Sequence, residues 1–431
     1  MTMQISPAAL NTGLSLNAHA ENKTSALVLV FNSGSSTLKF GLYRVGDQRD
    51  DSMHVLMIGE IENTGEYAGT CTLHDLGDCA DSKKTARSMA FLHPSEVLVF
   101  IRDVLWDRFS ITPAVIAHRI VHGGLHLREP HWINAEVMQQ IEQAVNFAPL
   151  HTPTALKFIE ASQQTFPQAK QLACFDTGFH VTLPPVSAQF AIPAHWFSSG
   201  LQRMGFHGLS CESIMWALAK EAPSLSKGKI IIAHLGHGAS VTAVNNGKSV
   251  DTSMGLTPCG GVPMSSRSGD LDPGVLIYLL REKKMNLDSL EKMLNQESGL
   301  LGLSGLSADM RELQAATKDH PNACLAIDIF CRALAKQVAG CMVVLGGADL
   351  LVFTGGIGEN ASALRKQVCV QLRWCGLQLD DEKNTSHLSL SDSNPSAIIS
   401  QEGSCTEIRI MHSQEDTQIA RHASRLALEQ H

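Results

Sequence analysis

Lys229-Ile230-Ile231-Ile232-Ala233-His234-Leu235-Gly236-His237-Gly238-Ala239-Ser240 joins an apolar run of strand length to a turn of glycine, histidine and serine, and Val241-Thr242-Ala243-Val244 resumes as a second strand. From His234 to Gly274 the chain gathers glycines, hydroxyls, Arg267 and the carboxylates of Asp251, Asp270 and Asp272, and a helix is expected from Val275 onward. That is the composition of a phosphate-handling site. Glycine lets backbone approach a polyphosphate closely, and the free amides of such turns form anion-binding concavities. A similar unit stands much earlier, where Ala26-Leu27-Val28-Leu29-Val30-Phe31 runs into the turn Asn32-Ser33-Gly34-Ser35-Ser36 and returns through Leu38-Lys39-Phe40-Gly41-Leu42. Two copies of strand, turn and strand point to a duplicated domain.

The bulk properties agree. At 431 residues the chain exceeds what one hydrophobic core usually spans, so two domains are expected. An apolar content of 44% with 18% charged residues describes a globular protein. The net charge of -8 offers no broad basic field for nucleic acid or an anionic membrane, so any anionic ligand must be held by a few placed cations. The 11 cysteines include no C-x-x-C pair, and an odd number argues against a closed disulfide framework, which fits a reducing cytoplasm. No apolar run approaches the roughly 20 residues that cross a bilayer. Ala18-His19-Ala20 imitates a signal-peptidase site, but the preceding segment has no basic start and is broken by Pro7, Asn11, Gly13 and Asn17. Residues 1–24 are expected to be a disordered tail.

Between the two hairpins, strands are expected near 53–61, 68–74 and 115–121, and helices near 94–106, 134–145 and 152–165. The second half repeats the alternation, with a long helix from 321 to 345, the buried strand Leu350-Leu351-Val352-Phe353, a surface loop at Ser391–Ser396, a strand at Glu407–Met411 and a closing helix over Asp416–Leu428. Strands alternating with helices give an α/β fold.

Five segments place polar side chains at the end of an apolar run, where ligands of α/β folds gather. They carry Asn32, Ser35, Ser36 and Lys39 on the opening hairpin; Arg119 and His122 in His118-Arg119-Ile120-Val121-His122-Gly123-Gly124; Asp176 in Asp176-Thr177-Gly178-Phe179-His180; His207 before a helix that Ser210 is placed to cap; and Thr354-Gly355-Gly356-Ile357-Gly358-Glu359-Asn360. Singly, each has a plain structural explanation: Arg119 a surface ion pair, Asp176 a cap, His207 a bonded loop residue. Together they meet the demand of phosphoryl transfer, which needs cations and hydrogen-bond donors around the moving group, carboxylates for Mg²⁺ and a glycine-lined nucleotide pocket. Arg119 and Arg267, His207 and His234 with His122 as a third histidine, and Asp176 supply that set. The P-loop pattern is absent, and His118-Arg119-Ile120 lacks the Asp and Asn of a protein-kinase loop.

These segments resemble the acetate and propionate kinase family of the sugar kinase, actin and heat-shock ATPase superfold. The resemblance runs from about Val28 to Ala420, on FNSGSSTLKF, HRIVHGG, FDTGFH, RMGFHG, HLGHGAS with VDTSMGLTP, SRSGDLDPG, SGLSADMR and VFTGGIGEN in the family's order. It implies an α/β protein of duplicated ribonuclease H-like (actin-like ATPase) domains with an interdomain cleft. The N-terminal domain would span 25–178 plus 414–431, and a C-terminal nucleotide-binding domain 179–413. It further implies reversible in-line phosphoryl transfer from ATP to acetate or propionate, giving acyl phosphate and ADP, with Mg²⁺ or Mn²⁺, in a cytoplasmic homodimer.

Residue roles follow from the same resemblance. Arg119 and Arg267 bracket the carboxyl and the transferring phosphoryl group, Asp176 positions substrate or metal, and His207 stabilises the transferring group. Asn32 and Ser36 face phosphates and metal, and Glu415 lies near the metal. Val121, Leu150, Phe206 and Pro258 line the acyl pocket. Nucleotide contacts are implied for Lys39, His234, Leu235, Gly236, His237 and Gly238, and around the adenosine for Asp309, Met310, Arg311, Gly355, Gly356, Ile357, Gly358 and Asn360. The chain departs from the family pattern at His237, where Asn is usual, at Gly178 for Ala, Thr152 for Asn and Cys211 for His, and in the loop Cys259–Ser266, which lacks an acidic residue and a Gly-Thr pair. A butyrate-type acyl kinase is the alternative among enzymes, and a nucleotide-switched ATPase like actin or the chaperones is the alternative of another class.

Overall fold

Val28-Leu29-Val30-Phe31 is apolar at every position, a pattern that suits a strand covered on both faces. In the computed structural model, which describes residues 26–34, 37–46, 53–65, 68–75, 84–89, 93–386, 390 and 395–428, this run forms β1 (Ala26–Ser33). The expected tail 1–24, Ser35, Ser36 and residues 391–394 of the expected late loop lie outside the described residues.

The first sheet comprises β1, β2 (Thr37–Val45), β3 (Met53–Gly65), β4 (Ala68–Asp75), β5 (Lys84–Met89), β6 (Val115–Ile120), β7 (His131–Trp132) and β8 (Lys170–Phe175), in the order β5-β4-β3-β2-β1-β6-β8-β7. The second comprises β9 (Lys229–Leu235), β10 (Ala239–Asn245), β11 (Lys248–Thr252), β12 (Leu350–Thr354), β13 (Ser396–Ile398) and β14 (Glu407–Met411), in the order β11-β10-β9-β12-β14-β13. β3-β2-β1-β6-β8 and β11-β10-β9-β12-β14 are the same motif: an antiparallel meander of three strands, then two strands parallel to the first. The duplicated ribonuclease H-like architecture expected from the sequence is therefore present.

Alternation along the central strands explains the packing. Leu29 and Phe31 face Leu98, Ile101 and Leu105 of the helix Pro94–Phe109, whereas Val28 and Val30 face Ile419, Ala420 and Ala423 of the last helix, Glu415–Leu428. In the second sheet Ile231, Ala233, Leu351 and Phe353 face the helix Pro321–Leu345, while Ile230, Ile232, Leu350 and Val352 face Ile214 and Leu218 of the helix Gly208–Glu221. Each buried aliphatic of this kind contributes about 1.5–3 kcal/mol. The closing helix thus leaves the second sheet's β14 and packs on the first sheet.

The expected helices at 152–165 and 321–345 and the strand Glu407–Met411 form with those bounds. β5, β7, β11 and β13 are not among the expected strands, being short or largely polar. β11 did carry a signal: Asn246 (φ 49°) and Gly247 (φ 75°) form the two-residue turn that an Asn-Gly pair favours in hairpins. One expectation needs correction. Ser210 does not cap its helix, which begins at Gly208; Ser210 lies inside the first turn with its hydroxyl turned away to His234.

Candidate active site

The carboxyl ends of β1, β6 and β8 oppose those of β9, β12 and β14 across a cavity of about 610 Å³. On the first-sheet side, Arg119 near the end of β6 donates Nε and Nη2 to the carboxylate of Asp176, with Nη2 2.6 Å from Oδ2, and Nη1 to Asn32 Oδ1 at 2.9 Å. Asn32 in turn donates Nδ2 to Asp416 at 2.7 Å and Glu415 at 3.2 Å. Burial opposes the charge on Arg119, yet Asp176 and Glu415 outweigh it and raise its pKa. Burial also pushes Glu415 up, but Arg119, His234 and the Asn32 amide prevail and its pKa falls. Its neighbour Asp416 is raised by burial and by the Glu415 charge.

On the second-sheet side Glu359 meets His412 at 2.9 Å, and the histidines nearest the glycine turn are uncharged. His207 adopts a left-handed backbone (φ 57°, ψ 29°) just before the helix Gly208–Glu221, a strained conformation for a residue with a Cβ. It is held there by the next residue: Gly208 donates its amide to the Asp176 carbonyl at 2.8 Å, and a Cβ at Gly208 would stand 2.3 Å from that oxygen. The His207 ring stacks on His234 with centroids 4.1 Å apart, its Nδ1 lies 2.9 Å from Ser240 Oγ, and His234 Nδ1 lies 2.8 Å from Ser210 Oγ. Burial, then the neighbouring His234 and arginines, hold His207 well below its ordinary pKa, and burial lowers His234. Both rings are neutral donors or acceptors near pH 7.

Arg267 closes the site between the two. It is 6% exposed, and among the described residues its guanidinium bonds the Pro258 carbonyl (3.2 Å), the Met264 sulfur (3.8 Å) and His151 Nε2 (3.3 Å). Among the described residues no carboxylate pairs with it. His151 is pushed down to about 3 by burial and by Arg267, so it accepts the arginine proton as a neutral ring. Val121, Phe206 and Pro258 supply apolar surface to the same cavity.

The acetokinase family profile matches residues 27–421. The chain belongs to the acetokinase family. It is 39% identical to the acetate kinase of Methylocella silvestris over 404 residues, covering 92% of this chain and 97% of that one. Against the acetate kinase of Deinococcus radiodurans it is 43% identical over 362 residues, covering 83% and 88%. The crystal structure of a propionate kinase from Francisella tularensis superposes with a TM-score of 0.81 at 35% identity, covering 92% of this chain and 98% of that one.

Of the residues singled out in this sequence, the cavity wall collects Asn32, Lys39, Arg119, Val121, Asp176, Phe206, His207, His234, His237, Gly238, Pro258, Arg267, Gly355, Gly356 and Glu415. Leu150, Leu235, Gly236, Asp309, Met310, Arg311, Ile357, Gly358 and Asn360 stand outside that wall. Leu235 and Met310 pack in the second core, Arg311 pairs with Asp309 at 2.6 Å on the surface, and Asn360 donates to the Gly356 carbonyl at 2.9 Å. His122 is also not at the cavity: its Nδ1 accepts the Gly124 amide (2.9 Å) and its Nε2 donates to the Leu256 carbonyl (3.0 Å), a satisfied structural role.

His151 and His412 share the wall without a signal strong enough to single them out in the sequence, and Glu359, named there only within its glycine turn, and Asp416, the neighbour of Glu415, share it too. Glu359 receives the Gly355 amide at 3.0 Å and meets His412 Nδ1 at 2.9 Å. His151 had one signal, its place between Leu150 and the Thr152-Pro153 helix start.

Proposed function

We propose that this chain transfers the terminal phosphoryl group of ATP, reversibly and in line, to a short carboxylate, acetate in preference to propionate, giving acyl phosphate and ADP. Arg267 carries the reading. A buried guanidinium with no carboxylate partner among the described residues is strongly unfavourable unless a ligand supplies the negative charge, and Val121, Phe206 and Pro258 line the same cavity with apolar surface. Membership in the acetokinase family, with acetate kinases and a propionate kinase among the relatives, supports it. A small apolar pocket separates acids one methylene apart by only about 10 to 200-fold, so both acids are plausible substrates of one wall.

In-line transfer needs positioning and charge stabilisation more than covalent help. Arg267 holds the carboxylate and the moving phosphoryl group. Arg119, fixed by Asp176, faces the same group from the opposite sheet, and His207 and His234 offer uncharged hydrogen bonds. Lys39, His237, Gly238, Gly355 and Gly356, which line the cavity, would lie along the phosphates, and the family resemblance adds Leu235, Gly236, Ile357 and Gly358 behind them and Asp309, Met310, Arg311 and Asn360 towards the adenosine. Asp176, Glu415 and Asp416 place more negative than positive charge around Asn32, which fits a divalent cation. Mg²⁺ or Mn²⁺ is the expected ion, and Mg²⁺ is commonly held by one or two carboxylates and by the substrate's phosphates. Bound there, the metal would neutralise phosphate charge.

The same reading divides the chain into an N-terminal domain of 25–178 with 414–431 and a C-terminal domain of 179–413, closing on substrates to exclude water. It extends to a cytoplasmic homodimer. The helix Pro273–Arg281 buries none of its residues although Val275, Ile277 and Tyr278 are apolar and about half exposed, a face suited to a second copy of the chain. The test is hydroxamate trapping of acyl phosphate with ATP and acetate, propionate, butyrate or no acid. Product with acetate and propionate is expected; ATP turnover independent of any acid would instead favour the switched-ATPase reading.

A further inference from the structure

Both histidines beside the glycine turn are tied at Nδ1 to a serine that solvent does not reach. We propose that Ser240 and Ser210 are positioning residues that fix His207 and His234 in one tautomer, protonated at Nε2, so that two uncharged N–H donors face the turn Gly236–Gly238.

Ser413 donates its hydroxyl to Ser210 Oγ at 2.9 Å, which leaves the Ser210 proton for His234 Nδ1 at 2.8 Å. Ser240 Oγ, at 0% exposure, has His207 Nδ1 as its one side-chain partner among the described residues. Were the ring to donate to it, the serine proton would have no acceptor, and an unsatisfied buried donor is costly. In both pairs the fully satisfied arrangement makes Nδ1 the acceptor and puts the ring proton on Nε2.

The Nε2 atoms point where a phosphate would lie. A Cβ on Gly238 would stand 3.0 Å from His207 Nε2, and one on Gly236 3.6 Å from His234 Nε2. With the rings stacked at 4.1 Å, two imidazolium charges side by side would repel, so the pair works as neutral donors. Ser413 lies between β14 and the last helix, so the relay links His234 to the segment that runs on to Glu415 and Asp416.

The kinetic half of this inference rests on the phosphoryl-transfer reading; the tautomer half does not. Histidine is labelled with ¹⁵N and long-range ¹H–¹⁵N correlations are recorded at pH 7, with His207→Gln and His234→Gln for assignment. Both rings should show the Nε2-protonated pattern. Ser240→Ala and Ser210→Ala should shift the pattern of the ring each serves and lower kcat about 10 to 100-fold with KM nearly unchanged, and Ser→Thr at either site should restore part of the loss. Ser413→Ala should shift only His234. An Nδ1-protonated pattern at either ring in the unmodified protein overturns the proposal, whether or not the alanine variants fold. Unchanged patterns and turnover in both alanine variants overturn it as well. The Nε2 pattern in a protein with no carboxylate kinase activity would sink the functional reading and leave the tautomer assignment standing.

Discussion

At the ends of β1, β6 and β8 the first sheet carries Asn32, Arg119 and Asp176, bonded into one charged set with Glu415 and Asp416; at the ends of β9 and β12 the second carries His234, the Gly236–Gly238 turn and Gly355, which have no formal charge near pH 7. Although the first sheet has eight strands and the second six, five follow the same order on both sides. The difference shows that the duplicated motif fixes where side chains gather, while the residues at the strand ends decide whether that place suits a cation or an anion. Arg267 belongs to neither strand set and, among the described residues, is buried at the cavity without a carboxylate partner.

That contrast can be broken experimentally, most severely at Arg119. Arg119→Ala should lower kcat by about 10² to 10³ and also destabilise the fold by about 3–5 kcal/mol, because Asp176, with 1% of its side chain exposed, loses its partner. Kinetics and urea unfolding of one preparation check both effects. A loss of turnover without loss of stability would mean that the Arg119–Asp176 pair is not structural.

Gly208→Ala comes next, since its Cβ would collide with the Asp176 carbonyl that anchors the strained His207. A loss of about 1–3 kcal/mol is expected, with lowered kcat, by thermal melts and steady-state rates. Wild-type values in both would contradict the anchoring role.

A third effect is on acid stability. His118, His122 and His180 are buried, and burial pushes each down to about 4 from an ordinary 6.5. Below pH 6.5 the unfolded chain therefore takes up protons that the folded chain refuses, and stability is lost as pH falls towards 4. From pH 7 to 5 each should cost about 2 kcal/mol, read by urea unfolding at pH 7, 6 and 5. A flat profile would contradict it.

The smallest effect is expected at His237. Its ring is exposed at the cavity edge and makes no hydrogen bond with a described side chain, although it stands where the family pattern has Asn. His237→Asn should change kcat by less than about threefold at pH 7.5, the scale of an exposed substitution. A larger change would give the glycine turn a side-chain ligand.

Much of this was legible in the sequence because it is local. Apolar runs such as Val28–Phe31 and Ile230–Ala233 declare strands covered on both faces, and the polar residues that follow them land at the cavity. What was not legible depends on distant partners. Nothing near Ser210 shows that it serves His234 rather than its own helix, because Ser413 reaches it only through the fold. His122 looked like a site residue until its two backbone partners, Gly124 and Leu256, were seen to satisfy it. The asymmetry of the arginines was equally hidden, since Arg119 and Arg267 differ only in what folding brings beside them.

The turnover of Arg267→Ala, followed as hydroxamate from ATP and acetate, tests that asymmetry most directly. With no buried carboxylate left behind, the variant should melt at or above the wild-type temperature yet lose at least about 100-fold in kcat. Turnover near that of the unmodified protein would contradict the assignment of the unpaired guanidinium to the substrate.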